Sequence, residues 1–166
     1  ASKEQRWVGS DIFYEDIQEI KFDNWNYSRL PDDDFDGQPC YVVEWLPKKQ
    51  TNTTYSREIY WYRQEGYLPV KIEYYDKNGV LWKTFSGYDI RYNQGVWTAW
   101  RIKMVDNKSN HRTENYRRWM LYDTELPDIH FTTRNAEKDV SSYNNPVSLW
   151  EIIGSPGAYD DELEGR

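Results

Sequence analysis

The sequence predicts a mainly β fold, an antiparallel meander with only a few short helices, and three observations carry that reading. Aromatic residues make up 17% of the 166-residue chain, with nine Trp and 15 Tyr, and such side chains suit half-buried strand positions. From Gln38 onward, runs rich in aromatic and β-branched residues alternate with turn chemistry at Asp76 to Gly79, Asn93 to Gly95 and Asp106 to Asn110. The length and a hydrophobic content of 38% suffice for one domain with a substantial core.

In chain order, Asp11 to Lys21 carries Ile12, Phe13, Ile17 and Ile20 at spacings that suit a short helix, with Ser10 or Asp11 as its N-cap. Asp32, Asp34, Asp36 and Gly37 follow at the spacing with which calcium loops begin. Such a loop needs a bidentate Glu at its twelfth position, where Val43 stands, so the stretch reads as a turn at Asp36-Gly37 before a buried strand. Strands are expected near Cys40 to Leu46, Arg57 to Arg63, Pro69 to Tyr75, Val80 to Tyr92, Val96 to Val105 and Arg112 to Tyr122. The hairpin at Asp76-Lys77-Asn78-Gly79 reads as a type I turn with a bulge, which sets Asp76 opposite Val80. That register pairs Tyr74 with Trp82, Glu73 with Lys83 and Ile72 with Thr84. Further on, a turn is expected at Leu126-Pro127-Asp128, a short helix over Val147 to Ile153, and a solvated acidic tail after it.

Charge narrows the function classes. Twenty-one Lys and Arg against 28 Asp and Glu give a net charge of -7, and an isoelectric point of about 4.9 opposes nucleic-acid or anionic-membrane binding. Cys40 is the only cysteine, which rules out an intrachain disulfide and a cysteine zinc cluster. No apolar run approaches the roughly 20 residues that span a bilayer. Ala1 to Ser10 has no signal-peptide layout and no initiating methionine, as expected of a processed or truncated product. Only His111 and His130 are available as near-neutral bases, and no nucleophile-elbow, zinc-protease or phosphate-loop motif accompanies them. Glu44, Glu58, Glu73 and Glu114 fall inside expected strands and keep a two-carboxylate glycosidase open. The aromatic strand faces read either as core or as the wall of an apolar binding surface. A twisted sheet of this size cannot bury a face alone, so something apolar must cover it.

Four ordered segments resemble the bacterial outer-membrane lipoprotein-sorting protein family, LolA/LolB-like: VGSDIFYEDI from Val8, DGQPCYVVEWLPK from Asp36, YWYRQEGYLPVKIEYYDKNGVL from Tyr60 and LPDIHFTTRN from Leu126. GYDIRYNQGVWTAWRIKM from Gly87 and the HRT of His111 to Thr113 are similar to the family as well. The resemblance implies an incomplete barrel lidded by helices over a hydrophobic cavity for acyl chains, over residues 1–138. It further implies that this chain corresponds to the later part of the family fold, without its front, and that residues 139–166 are a C-terminal extension. It also implies a non-enzymatic periplasmic carrier without a cofactor. The expected partners are an acyl chain or lipoprotein lipid moiety and a membrane transporter or receptor, with self-association through an exposed sheet edge. The residues expected on the ligand-facing side are Trp61, Val70, Ile72, Tyr74, Trp82, Trp100, Ile102, Met104, Tyr116 and Met120. Two rival readings are a regulatory or scaffolding module of the same fold and a carbohydrate-binding or glycosidase domain.

Overall fold

A computed structural model describes residues 3–118, 120 and 122. Apart from Tyr122 these lie in one compact unit, Ala1–Met120; the second unit is Leu121–Arg166. The turn at Leu126, the helix over Val147 to Ile153, the acidic tail, His130 and the boundary at residue 138 lie outside the described residues.

Among the described residues seven antiparallel strands make one curved, open sheet, each paired with its sequence neighbours. They are β1 (Trp25–Phe35), β2 (Gln38–Pro47), β3 (Arg57–Arg63), β4 (Pro69–Tyr75), β5 (Leu81–Asn93), β6 (Val96–Asp106) and β7 (His111–Tyr116). Tight turns force this order, since antiparallel neighbours need only a few connecting residues. Between β1 and β2 the connection is Asp36-Gly37, both at positive φ (54° and 73°), the two-residue turn whose twist matches that of the strands. The aspartates around it are structural: Asp34 Oδ1 accepts the Gly37 N–H at 2.9 Å, Asp33 Oδ2 accepts the Trp61 indole N–H at 3.0 Å, and Asp32 pairs with Arg29. Among the described residues no group of His, Cys, Asp and Glu is arranged to hold a metal.

Strand β1 is absent from the sequence reading. As an edge among the described residues it has exposed positions on both faces, so it carries no alternation of apolar and polar residues to read. Pro31 and Asp32 fall in a register shift between Leu30 and Asp33, where a missing backbone donor costs little. The helix expected over Asp11 to Lys21 is also corrected. That stretch holds a single 3-10 turn, Tyr14–Ile17, one of three with Trp7–Gly9 and Phe22–Asn24. Arg6 and Phe13 form an isolated bridge instead, Asp16 caps the Phe13 N–H at 2.7 Å, and Ile17 and Ile20 stay exposed. Bonds to the sheet outcompete the weak helical preference of a stretch this short.

The β4–β5 hairpin opens as expected, with the Asp76 N–H donating to Val80 O at 2.9 Å. A bulge then shifts the register by one, so Tyr74 faces Lys83, Glu73 faces Thr84 and Ile72 faces Phe85. A one-residue slip exchanges the faces of a strand. Here it turns Lys83 onto the side that holds Tyr74.

Register separates two apolar clusters. On one face Trp45, Tyr60, Ile72, Tyr74 and Met104 pack with Ile12 and Tyr55 from outside the sheet. On the opposite face Cys40, Val42, Ile59, Trp61 and Val70 pack together. The first is the covered face, where residues 6–24, with their three short 3-10 turns, and the 50–56 connection lie.

The β3–β4 connection supplies a test of close packing. A Cβ at Gly66 (φ 74°) would stand 2.1 Å from Cδ1 of Trp97, whereas one at Gly37 (φ 73°) meets nothing within 4 Å. Both substitutions to Ala incur the left-handed penalty of about 1 kcal/mol, and Gly66→Ala adds overpacking of about 1–3 kcal/mol. Urea unfolding should therefore rank Gly66→Ala clearly below Gly37→Ala in stability; equal losses would contradict the Trp97 contact.

Candidate functional site

A cavity of about 390 Å³ opens on the covered face, between the N-terminal segment, the start of β1, the 50–55 connection and strands β2 to β4. Trp25, Trp45, Tyr55, Tyr60 and Tyr74 supply rings to its wall, and Glu15, Asp16, Glu19 and Glu58 supply carboxylates. Antiparallel pairing places the strand contributors together. Trp45 stands opposite Glu58, Glu58 opposite Tyr74, and Tyr60 opposite Ile72. Trp45 stacks on Tyr60 with centroids 4.4 Å apart, and Trp25 meets Trp45 edge-on at 5.7 Å.

The segment that roofs this cavity is fastened by two acidic residues of VGSDIFYEDI. Asp16 is paired with Lys83, their side chains 2% and 0% exposed. Its other oxygen accepts the Tyr55 hydroxyl at 2.6 Å. The Lys83 ammonium lies 3.7 Å from the Phe13 ring centroid, 5.2 Å from Tyr55 and 5.3 Å from Tyr74, a cation held over ring faces. Burial presses its pKa down, while Asp16 acts the other way.

The second fastening joins the first segment to HRT. Asp11, fully buried, accepts from Thr113 Oγ1 at 2.7 Å and from Arg6 at 2.6 Å, and lies 2.8 Å from His111 Nδ1. Burial acts to raise the Asp11 pKa, but the hydrogen bonds from Thr113, His111 and Arg6 outweigh it and the net shift is downward.

Glu58 is 5% exposed and accepts the Tyr60 hydroxyl at 2.7 Å. Desolvation pushes its pKa up to about 7, with Glu15 and Asp16 adding to the rise, while the Tyr60 bond and Lys83 oppose it. Burial also drives the Tyr55, Tyr60 and Tyr74 phenols upward. Glu15 accepts the Thr54 N–H at 3.1 Å and its hydroxyl at 2.6 Å. Of the four strand carboxylates singled out in the sequence, Glu58 alone borders the cavity. Glu44 pairs with Arg57 at 3.5 Å, Glu73 with Lys71 at 2.7 Å and Glu114 with Arg112 at 3.7 Å, and strand alternation puts all three on the opposite face.

The structure divides the residues expected on one ligand-facing side. Ile72, Tyr74, Trp100, Ile102 and Met104 alternate onto the covered face, and Trp82 joins them through its ring contact with Phe13 at 5.3 Å. Trp61 and Val70 belong to the opposite cluster. Tyr116, in register with Arg101, is exposed on that same side. Met120 follows the last strand and accepts from Asn93 Nδ2 through its carbonyl at 2.9 Å. Only Tyr74 of this set borders the cavity. The residues missed, Trp25, Trp45, Tyr55 and Tyr60, carried a legible signal in part: Trp45 and Tyr60 sit in quoted segments and in expected strands, whereas Trp25 lies in the unassigned β1 and Tyr55 in a connection.

Over residues 1–138 the chain matches a family model described as uncharacterized protein-like. No curated protein matches it. It is similar to a solved outer membrane lipoprotein-sorting protein domain from Vibrio parahaemolyticus, at 27% identity and a TM-score of 0.70, over 81% of this chain and 57% of that one. A DUF1329 family protein from Desulfovibrio piger shares 30% identity at a TM-score of 0.70, over 81% of this chain and 56% of that one. A LolA superfamily protein from Nitrosomonas europaea shares 25% identity at a TM-score of 0.57, over 81% and 60%. The chain thus spans less than two thirds of each of these structures, and its fold is that of lipoprotein-sorting domains.

Two stability tests follow from the buried charges. Lys83→Met leaves Asp16 buried without its cation and should cost about 3–5 kcal/mol, most of it recovered in Asp16→Asn/Lys83→Met; an additive double variant would contradict direct pairing. For Glu58, the folded pKa of about 7 exceeds the ordinary 4.5, so between these values the folded chain holds more protons than the unfolded one. Stability from this group therefore falls as pH rises through that window, by on the order of 3 kcal/mol. Glu58→Gln should gain on the parent protein between about pH 5 and pH 8 in denaturant titrations, and a pH-independent difference would refute the raised pKa.

Proposed function

Since the chain belongs to the family whose model matches residues 1–138, we propose that it is part of a non-enzymatic periplasmic carrier that holds a hydrophobic ligand on the covered face. The ligand is an acyl chain or the lipid moiety of a lipoprotein, and a membrane-bound transporter or receptor exchanges it. The observation that carries this reading is the aromatic-walled cavity on the covered face of an open sheet, in a fold similar to a lipoprotein-sorting domain. An acyl chain suits such a face because each buried methylene contributes about 0.8 kcal/mol without needing a specific polar partner.

At about 390 Å³ the cavity is near the small end of ligand pockets, which run roughly 300–1,000 Å³. A long chain therefore requires the roof, with Ile12 and Phe13 buried beneath it, to give way. That filling of the face by the chain's own segment is what favours the second reading, a scaffolding module of the same fold that binds a protein partner. The two differ in what the protein carries.

Native mass spectrometry and solvent extraction of the whole protein, isolated from its cell envelope, should find bound lipid. Titration of the stripped protein with a long-chain fatty acid should change tryptophan emission at one equivalent, because Trp25 and Trp45 border the cavity. Ligand at about 100 times its dissociation constant should raise stability by about 2.7 kcal/mol. No extracted lipid and no uptake would leave the scaffolding reading in its place.

A further inference from the structure

The cavity is not uniformly apolar. Four carboxylates border it, Glu15, Asp16, Glu19 and Glu58, against two lysines, Lys3 and Lys21. Asp16 is matched by Lys83 behind the wall, and Glu15 stands 3.9 Å from Lys3. Among the described residues Glu58 has only the Tyr60 hydroxyl as a direct hydrogen-bond partner, although it is among the most buried acids described. A carboxyl so placed gains from a cation brought beside it, because removal from water has already weakened its charged form.

The surrounding rings suit the same occupant. Trp45, Tyr60 and Trp25 form one wall and Tyr55 and Tyr74 another, and electron-rich ring faces attract ammonium groups. The protein already uses this combination beside the cavity: Asp16, Tyr55, Tyr74 and Phe13 surround the Lys83 ammonium. Trp45, 4% exposed, keeps its indole N–H without a partner among the described residues, a buried donor that needs an acceptor atom elsewhere on the ligand, such as an ester or carbonyl oxygen, and not the ammonium itself.

We propose that this cavity takes a positively charged amine or quaternary ammonium, carried as the head of the hydrophobic ligand, with Glu58 as its counter-charge and the Trp45, Tyr60 and Trp25 rings around it. This rests on the carrier reading and names the class of ligand at the same site. The titratable groups around Glu58 are the Glu15 and Asp16 carboxylates, the Lys83 ammonium and the Tyr55, Tyr60, Tyr62 and Tyr74 hydroxyls. With two of these acidic and one cationic, the added positive charge is the one the cluster lacks.

The test compares dodecyltrimethylammonium, dodecyl maltoside and choline by calorimetry below micelle-forming concentrations, on the whole protein and on Glu58→Gln. The amide still accepts the Tyr60 hydroxyl, so this variant should fold. The cationic amphiphile should bind the parent at least about tenfold more tightly than the maltoside, and the preference should shrink to about threefold or less in Glu58→Gln. Affinity for the cation should also rise from about pH 6 to pH 8, as Glu58 ionises, with the maltoside unaffected. A preference retained by Glu58→Gln would reduce it to general attraction by the chain's net charge of -7 and overturn the inference. Equal binding of both amphiphiles would overturn it and leave the carrier standing, while binding of neither would remove both. Choline bound as tightly as the amphiphile would uphold the cation site and identify a free small cation, not a lipid head, as its source.

Discussion

A single buried ion pair, Asp16 with Lys83, decides how the N-terminal segment meets the sheet. Taking both charges out of water costs several kcal/mol per ion, repaid only where geometry and further hydrogen bonds are good. Here they are. Asp16 also accepts from Tyr55 and from the Phe13 backbone, and the ammonium sits against three rings. Ile12, Phe13 and Tyr55 are buried in consequence, and the sheet face is closed by chain that among the described residues holds only short 3-10 turns. The pair fixes position more than it adds stability, since apolar residues in its place could pack equally well but would not specify one alignment.

That alignment depends in turn on one residue of register. The bulge beside Trp82 brings Lys83 opposite Tyr74; the unbulged hairpin would send the lysine to the other face and leave Asp16 without its cation. A local irregularity in β5 thereby sets the chemistry of a cavity that β5 does not line, its walls coming from the N-terminal segment, the 50–55 connection and strands β1 to β4. Contacts across the sheet carry the effect, Tyr74 to Glu58 and Glu58 to Trp45. The carboxylates are brought near one another because the roof and the sheet each contribute acids to the cavity, beside the rings of Trp25, Trp45, Tyr55, Tyr60 and Tyr74.

Much of this was legible in the amino-acid order. Strands β3 and β4 end where their aromatic and β-branched runs end, because those runs are bounded by turn residues on both sides. Strand β1 was not, because an edge strand with Asp32, Asp33 and Asp34 shows no buried side to read. The helix over Asp11 to Lys21 had the right periodicity and the wrong outcome: spacing registers apolar positions but not the long-range partners, His111, Thr113 and Lys83, that hold those acids. The same limit applies to the site. Alternation can say that Ile72 and Tyr74 share a face, yet the bulges near Trp61 and Trp82 break any simple extension to Trp61 and Val70. Resemblance in VGSDIFYEDI and HRT marked residues of consequence; the structure supplies the reason, that one segment fastens to the other.

The two fastenings are not equivalent, and the difference bears on how the roof could open. Asp11 is fully buried, but its partners reach it from solvent: the Arg6 and His111 side chains are 40% and 62% exposed. Water and salt compete readily for such groups. Asp16 and Lys83 are closed to solvent on both sides, so parting them would strand a charge on each. Opening that begins at the Asp11 end disturbs hydrogen bonds water can replace, whereas opening at Asp16 must first hydrate a sealed pair. The Asp16 turn is thus the fixed end of the roof. Glu15, next to it, holds the 50–56 connection through Thr54, which extends that fixed point across the rim of the cavity. The exposed stretch from Ile17 to Lys21 follows this fixed point, and its Gln18, Glu19, Ile20 and Lys21 border the cavity.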